Sequence, residues 1–175
     1  MNDEAKRAVL KRYNKLCSTF VETGSAIGET SLWASKNFKR VVTIEFQDNN
    51  YKTCVERFFN VPNILPLHGD SCEWIKSLVY LVGDTPALWF LDAHFTHGVE
   101  DIKAPSGNTP IVQELETLFG FGVKHYIVVD DLNLFGVEEG YPTLDEVVEL
   151  GAKFDYVVET EDNLIICTHR KSKRP

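Results

Sequence analysis

Six carboxylates occupy places where they could act together. Glu22, Glu45, Asp70, Asp92 and the adjacent pair Asp130-Asp131 each stand at the end of, or just past, a short run of β-branched or aromatic residues. Carboxylates accept hydrogen bonds from hydroxyls and amines, attract cations and, when crowded, take up a proton. Scattering 26 acidic residues over 175 positions would rarely deliver one to the end of every such run. After the first of them comes Thr23-Gly24-Ser25-Ala26-Ile27-Gly28-Glu29-Thr30, a turn whose two glycines leave backbone that a ligand can approach. The pattern is G-x-x-x-G and not the G-x-G-x-x-G that seats a pyrophosphate at a helix N-terminus. Glu22 and Glu29 would also repel a diphosphate, so the turn suits a nucleoside bearing a cationic group better than a dinucleotide.

The other acids divide by position. Glu45 follows Gly28 by 17 residues, close to the spacing at which an acid in a nucleotide-binding sheet accepts hydrogen bonds from a ribose diol. Asp70, in Gly69-Asp70-Ser71, either accepts from an adenine amino group or caps the helix that follows. Asp92, His94, Asp130 and Asp131 form a second group. Three carboxylates on one rim are costly unless a cation or a proton neutralises them. One reading is a divalent metal, Mg²⁺, Ca²⁺ or Mn²⁺ for oxygen donors, shifting toward Mn²⁺, Fe²⁺ or Zn²⁺ if His94 or His97 takes part. The other is a general base, Asp92 or His94, within an acidic cluster that steers a cationic substrate. His97 by itself reads as a loop residue, and His68, His125 and His169 have no partner in the pattern. Phe95, Phe135 and Tyr141 flank this second group. Trp89 belongs to the core, whereas Trp74 either lines an adenine pocket or packs a helix face.

Alternating elements must position these side chains. The segment Glu4–Leu16 is amphipathic, and the first 17 residues are expected to hold an N-terminal helix. Strands are expected at Thr19–Glu22, Val41–Glu45, Ile64–His68, Ala87–Asp92 and Tyr126–Asp130. Helices are expected at Ser31–Asn37, Asp48–Phe58, Ser71–Leu81, Pro110–Phe119 and Thr143–Leu150. A hairpin, Phe154–Glu159 with Leu164–Thr168, closes the chain. Short strands alternating with helical segments of 8–12 residues specify an α/β protein with a doubly wound, mostly parallel sheet, helices on both faces and a C-terminal antiparallel hairpin. Ligands of such sheets bind outside the carboxyl ends of the strands, where the six acids fall. Residues 93–109 form a long irregular connection after a buried strand, which points to a lid or selectivity element.

Composition sets the outer bounds. A chain of 175 residues with 43% hydrophobic and 25% charged residues is globular in character and fits one domain, residues 1–175. No apolar run reaches the ~20 residues needed to cross a bilayer, and the opening Met1–Arg7 lacks the apolar core of a secretory signal. Cys17, Cys54, Cys72 and Cys167 make no C-x-x-C pair and fit reduced, buried thiols in a reducing compartment, so a cytoplasmic location is expected. Between residues 16 and 168 nine basic residues face 24 acidic ones, a net charge of −15. Such a body repels phosphate backbones, and nucleic acid is not the expected partner unless the basic ends (residues 1–15 and the tail 170–175) converge on one face.

Taken in order, Phe20-Val21-Glu22-Thr23-Gly24, Gly28-x-Thr30, Ile44-Glu45, Gly69-Asp70-Ser71, Leu91-Asp92-Ala93-His94 and Ile127–Asp131 resemble the class I, Rossmann-like S-adenosylmethionine-dependent methyltransferases over residues 18–168. The resemblance implies that S-adenosylmethionine lies against Glu22, Thr23, Gly24, Ser25, Gly28, Thr30, Glu45, Asp70, Ser71 and Asp92. Glu22 and Gly24 would face its methionine part, Glu45 the ribose, and Asp70-Ser71 the adenine. An Asp after the fourth strand and an acidic pair after the fifth are similar to the metal-dependent O-methyltransferases of the catechol type. That likeness implies Mg²⁺ or Mn²⁺ at Asp92, Asp130 and Asp131, although an Asp-Asp pair stands here where that group has Asp-Asn. Asp92, His94 and Asp130 are the expected catalytic residues, acting on an oxygen or nitrogen acceptor of a small molecule or sugar. Two other readings remain open: a nucleoside-binding module of the same fold without turnover, and a metal-dependent hydrolase built on the carboxylates. A homo-oligomer is compatible with the amphipathic N-terminal segment, which covers either its own sheet or a neighbour's.

Overall fold

The computed structural model describes residues 3–93, 109–122 and 124–175. Seven strands form one sheet: β1 (Thr19–Thr23), β2 (Arg40–Glu45), β3 (Ile64–His68), β4 (Ala87–Leu91), β5 (Tyr126–Val129), β6 (Tyr156–Glu161) and β7 (Leu164–His169). Their order across the sheet is β3-β2-β1-β4-β5-β7-β6. The pairings of β1 through β5 are parallel, while β7 is antiparallel to both β5 and β6. The chain starts in the middle at β1, winds outward through β2 and β3, then returns to β4 beside β1. The reversal of direction between β1 and β4 is the switch point at which such sheets open a ligand crevice.

Among the described residues six helices cover the sheet: α1 (Asp3–Lys11), α2 (Glu29–Ser35), α3 (Asp48–Phe58), α4 (Ser71–Val82), α5 (Ile111–Gly120) and α6 (Leu144–Lys153). A 3-10 turn, Arg12–Lys15, continues α1 and makes the N-terminal helix shorter than its amphipathic stretch suggests. Successive strand residues point to opposite faces, so each central strand feeds two core layers. Val21, Ile44, Trp89, Leu91, Ile127 and Val129 pack in one layer with Ile75 and Leu78 of α4, Leu115 and Leu118 of α5, and Val147 of α6. Phe20, Val41, Leu88, Phe90, Tyr126 and Val128 pack in the other with Val9 and Leu10 of α1, Ala34 of α2, and Cys54 and Phe58 of α3. All of β1, β4 and β5 is buried, which explains the continuous apolar runs of β4 and β5.

The N-terminal segment covers its own sheet: Val9, Leu10 and Tyr13 belong to the second layer, with the Tyr13 and Tyr126 rings 5.2 Å apart. The Tyr126 hydroxyl donates to the Lys173 carbonyl at 3.0 Å, so the two basic ends of the chain do meet, around the start of β5. Arg12 and Arg174 direct their guanidiniums onto Glu161 and Glu159 of β6. Glu161 pairs with Leu164, level with the carboxyl end of β5, so the Arg12 contact lies toward the carboxylate rim. The four cysteines are buried free thiols, and no helix among the described residues is long and apolar enough to cross a membrane. His125, which has no partner in the sequence pattern, is a buried structural residue whose Nδ1 accepts from Ala87 N, and burial lowers its pKa to about 4.

Phe20 stands at the centre of the second layer, fully buried, with its ring 5.2 Å from Phe38 and 6.3 Å from Phe90. Phe20→Ala is therefore expected to cost about 3–5 kcal/mol in chemical denaturation, an interval set by lost burial and the cavity left behind.

Candidate active site

The turn after β1 is tied at each end. Gly24 N and Ser25 N both donate to Ile44 O, which pins the turn to β2. Gly24 takes φ +76, and a Cβ there would lie 2.5 Å from Asp92 O, so the β1 and β4 turns touch backbone to backbone. Gly28 takes φ +80 at the N-terminal boundary of α2, where a Cβ would run into the Phe58 ring. Both glycines are thus required by conformation and by space.

Glu22 is buried beneath this turn. Its Oε2 accepts from Ser31 Oγ at 2.5 Å and Thr43 Oγ1 at 2.7 Å, and burial pushes its pKa up to about 7. Ser25 Oγ lies 2.5 Å from the same Thr43 hydroxyl, so Ser25, Thr43, Glu22 and Ser31 form one buried chain of polar contacts. Glu45 supports the turn from β2: its Oε2 accepts from Ala26 N and its Oε1 from Gln47 N, each at 2.8 Å. Burial raises its pKa against these stabilising N–H contacts. Thr23 is fully buried, and Thr30 is half-buried in the first turn of α2. On the next strand Asp70 Oδ1 accepts from Cys72 N and caps α4, with Ser71 buried as the first helical residue. Trp74 lies across this turn and donates from Nε1 to His68 O at 2.9 Å.

The second group gathers between the ends of β4 and β5. Asp92, Thr109, Ile111, Val129, Asp130, Asp131 and Tyr141 line a small cleft there. Tyr141 and Phe135 pack edge to face at 5.2 Å, placing both expected aromatics beside it. Asp92 and Asp130 converge on a cation absent from the sequence reading. Lys6 Nζ, carried by α1, is 2.6 Å from Asp130 Oδ2 and 3.8 Å from Asp92 Oδ2, and 5.4 Å from the centre of the Phe90 ring. Burial lowers the Lys6 pKa, but its hydrogen bond to Asp130 and the charges of Asp92 and Asp130 outweigh that and raise it overall. Asp92 is pushed well above the usual carboxyl range, first by burial and then by the charge of Asp130, with Lys6 opposing both. Asp131 stands apart: it adopts a left-handed backbone (φ 59), and Asn163 Nδ2 reaches its Oδ1 at 3.4 Å.

Three carboxylates around one metal are therefore not what this rim presents. Lys6 holds Asp92 and Asp130, Asn163 draws Asp131, and no group of three or more His, Cys, Asp or Glu among the described residues is placed to hold a metal ion. His94, His97 and Phe95 lie outside the described residues, as does most of the 93–109 connection.

Two site-proximal residues escaped the sequence reading. Lys6 is one, and Glu114 of α5 the other. Glu114 is 1% exposed beside Ser71 and Thr23, yet neither carboxyl oxygen has a hydrogen bond of good geometry, and the Thr23 hydroxyl is likewise unpartnered. Helical spacing carries both signals. Lys6 precedes Val9, Leu10 and Tyr13 at i+3, i+4 and i+7, and Glu114 sits between Ile111 and Leu118 on the same face.

The sequence matches no protein-family model and no curated protein. The fold does match solved structures along nearly its whole length. A protein assigned as a methyltransferase from Streptococcus mutans, in complex with SAH, superposes with a TM-score of 0.61 at 13% identity, covering 96% of this chain and 97% of that one. A protein assigned as a caffeoyl-CoA O-methyltransferase from Staphylococcus aureus gives 0.62 at 16% identity, covering 96% and 85%. An rRNA methylase from Streptococcus thermophilus gives 0.60 at 11%, covering 97% of each chain. The architecture is that of the Rossmann-like methyltransferases.

Burial raises the pKa of Glu114 to about 7, from an ordinary value of 4.5. The folded protein then holds a proton that the unfolded chain has released, so this group makes stability fall as pH rises from about 4.5 to 7. Glu114→Gln should remove that slope. In unfolding experiments at pH 5 and pH 8, the wild type should lose on the order of 1–3 kcal/mol more than the variant between the two.

Proposed function

We propose that the protein is an S-adenosylmethionine-dependent methyltransferase acting on an oxygen, or nitrogen, of a small molecule or sugar. The observation that carries this reading is the placement on one sheet rim of the Glu22–Gly28–Glu45 turn and the Asp92–Asp130 cleft, joined where Gly24 meets the Asp92 carbonyl. The superposition on a methyltransferase in complex with SAH supports it at the level of fold.

The residues fit the cofactor by chemistry as well as by position. Gly24 lets the turn close on the Asp92 backbone, a buried carboxyl underlies the turn at Glu22, and Glu45 sets a carboxylate at the end of β2 for a ribose. Glu22, Thr23, Gly24, Ser25, Gly28 and Thr30 would hold the methionine end, Glu45 the ribose, and Asp70, Ser71 and Trp74 the adenine side. When bound, S-adenosylmethionine supplies a methyl carbon attached to a sulfonium and open to in-line displacement. The chain's own work is alignment and charge control. Carboxylates around the turn attract the positive charge, and the apolar walls Leu91, Ile111 and Val129 limit water. At the acceptor, Asp92 is the residue that takes the proton. Burial makes its carboxylate more basic than an exposed one, and the proton leaves the acceptor oxygen as the bond to carbon forms. Asp130 orients Lys6 beside it.

A small acceptor is favoured by the net charge of −15 between residues 16 and 168, which repels a phosphate backbone. Metal assistance draws no support from the arrangement of Asp92, Asp130 and Asp131, since Lys6 and Asn163 engage them.

Calorimetry with S-adenosylhomocysteine tests this reading. One molecule should bind per chain, and Glu45→Gln should weaken it by about tenfold, near 1.4 kcal/mol, through loss of the charged acceptor for the diol. Folded wild-type protein that binds none would remove the proposal.

A further inference from the structure

We propose that Lys6 is the resident cation of the acceptor site, holding between Asp92 and Asp130 the place that a divalent metal would otherwise take. The inference rests on the methyl-transfer reading for its functional meaning, but its geometry stands by itself. Lys6 Nζ reaches Asp130 Oδ2 at 2.6 Å and Asp92 Oδ2 at 3.8 Å, the same two carboxylates that a metal would need. It is no wandering surface lysine. Val9 and Leu10, one turn further along α1, are 3% and 0% exposed in the core layer, and the ammonium lies over the Phe90 ring.

The other donors are also committed. Asp130 Oδ1 accepts from Asp131 N at 2.9 Å, and Asp131 turns in a left-handed conformation toward Asn163. A divalent ion asks for six or more oxygens at about 2.0–2.6 Å, and a lysine ammonium in that space both blocks the approach and repels the charge. One positive charge delivered by α1 thus offsets part of the cost of crowding carboxylates that a metal offsets elsewhere. The ammonium donates to Asp130 at 2.6 Å and acts on Asp92 by charge across 3.8 Å. Lys6 accordingly holds the two carboxylates by its charge, and loss of that charge should turn the site into a metal site.

The test is Mn²⁺ titration of the full chain, followed by loss of the free-ion electron paramagnetic resonance signal. Wild type should show no site-specific binding at millimolar Mn²⁺. Lys6→Met should bind one ion at least about tenfold more tightly than wild type, equivalent to ~1.4 kcal/mol. Adding Asp130→Asn to it should abolish that binding, and Lys6→Arg should behave as wild type. Circular dichroism reports whether each variant folds. Wild-type binding that Asp130→Asn removes would overturn the proposal, as would a folded Lys6→Met that takes up no more metal than wild type. If Lys6→Met does not fold, the wild-type and Asp130→Asn titrations decide alone. Binding of S-adenosylhomocysteine is measured separately, so failure of the methyltransferase reading and failure of the lysine proposal give different results.

Discussion

Electrostatic crowding at the carboxyl ends of the strands is the constraint on which the rest of the molecule depends. Glu22, Glu45, Asp92 and Asp130 are all largely withdrawn from water, where carboxylates repel one another and lose hydration. The chain meets this cost in three ways. Hydroxyls of Ser31 and Thr43 solvate Glu22, backbone N–H groups of Ala26 and Gln47 solvate Glu45, and an ammonium on α1 serves Asp92 and Asp130. Each solution consumes part of the scaffold: the start of α2, the turn after β1, and the whole N-terminal helix. The hydrophobic anchoring of α1 by Val9, Leu10 and Tyr13 therefore has an electrostatic purpose as well as a packing one.

Much of this was legible in the residues themselves. Buried parallel strands have a distinctive signature, continuous apolar runs such as Ala87–Leu91 and Tyr126–Val129, because both of their faces are covered. The carboxylate after each run was legible for the same reason, since a strand end in such a sheet is also a ligand rim. Capping was one of two readings open to Asp70, an Asp before a helical stretch, and the structure has its side chain accept from Cys72 N. What escaped depends on placement across the fold. Lys6 lies 86 residues from Asp92 and 124 from Asp130, and nothing local connects them. Periodicity marks Lys6 and Glu114 as inward-facing, but a charged residue on an apolar face is ambiguous until its counterpart is known. Asp131 differs again. Adjacency to Asp130 suggested joint action, and the left-handed backbone sends it elsewhere.

The two basic ends illustrate the same limit. Their convergence around Tyr126 follows from α1 descending one face while the tail after β7 returns to the start of β5. Sequence separation hid that meeting.

The contact between the Gly24 turn and the Asp92 carbonyl has a mechanical meaning. Two loops that abut through main chain alone, with no side chain between them to flex as a cushion, behave as a rigid coupling. Any tilt of the turn after β1 must displace the Asp92 peptide, and pressure on that peptide must be transmitted back to the turn. Loading one side of the rim would thereby set the posture of the other, by steric transmission through a single atom-to-atom bearing.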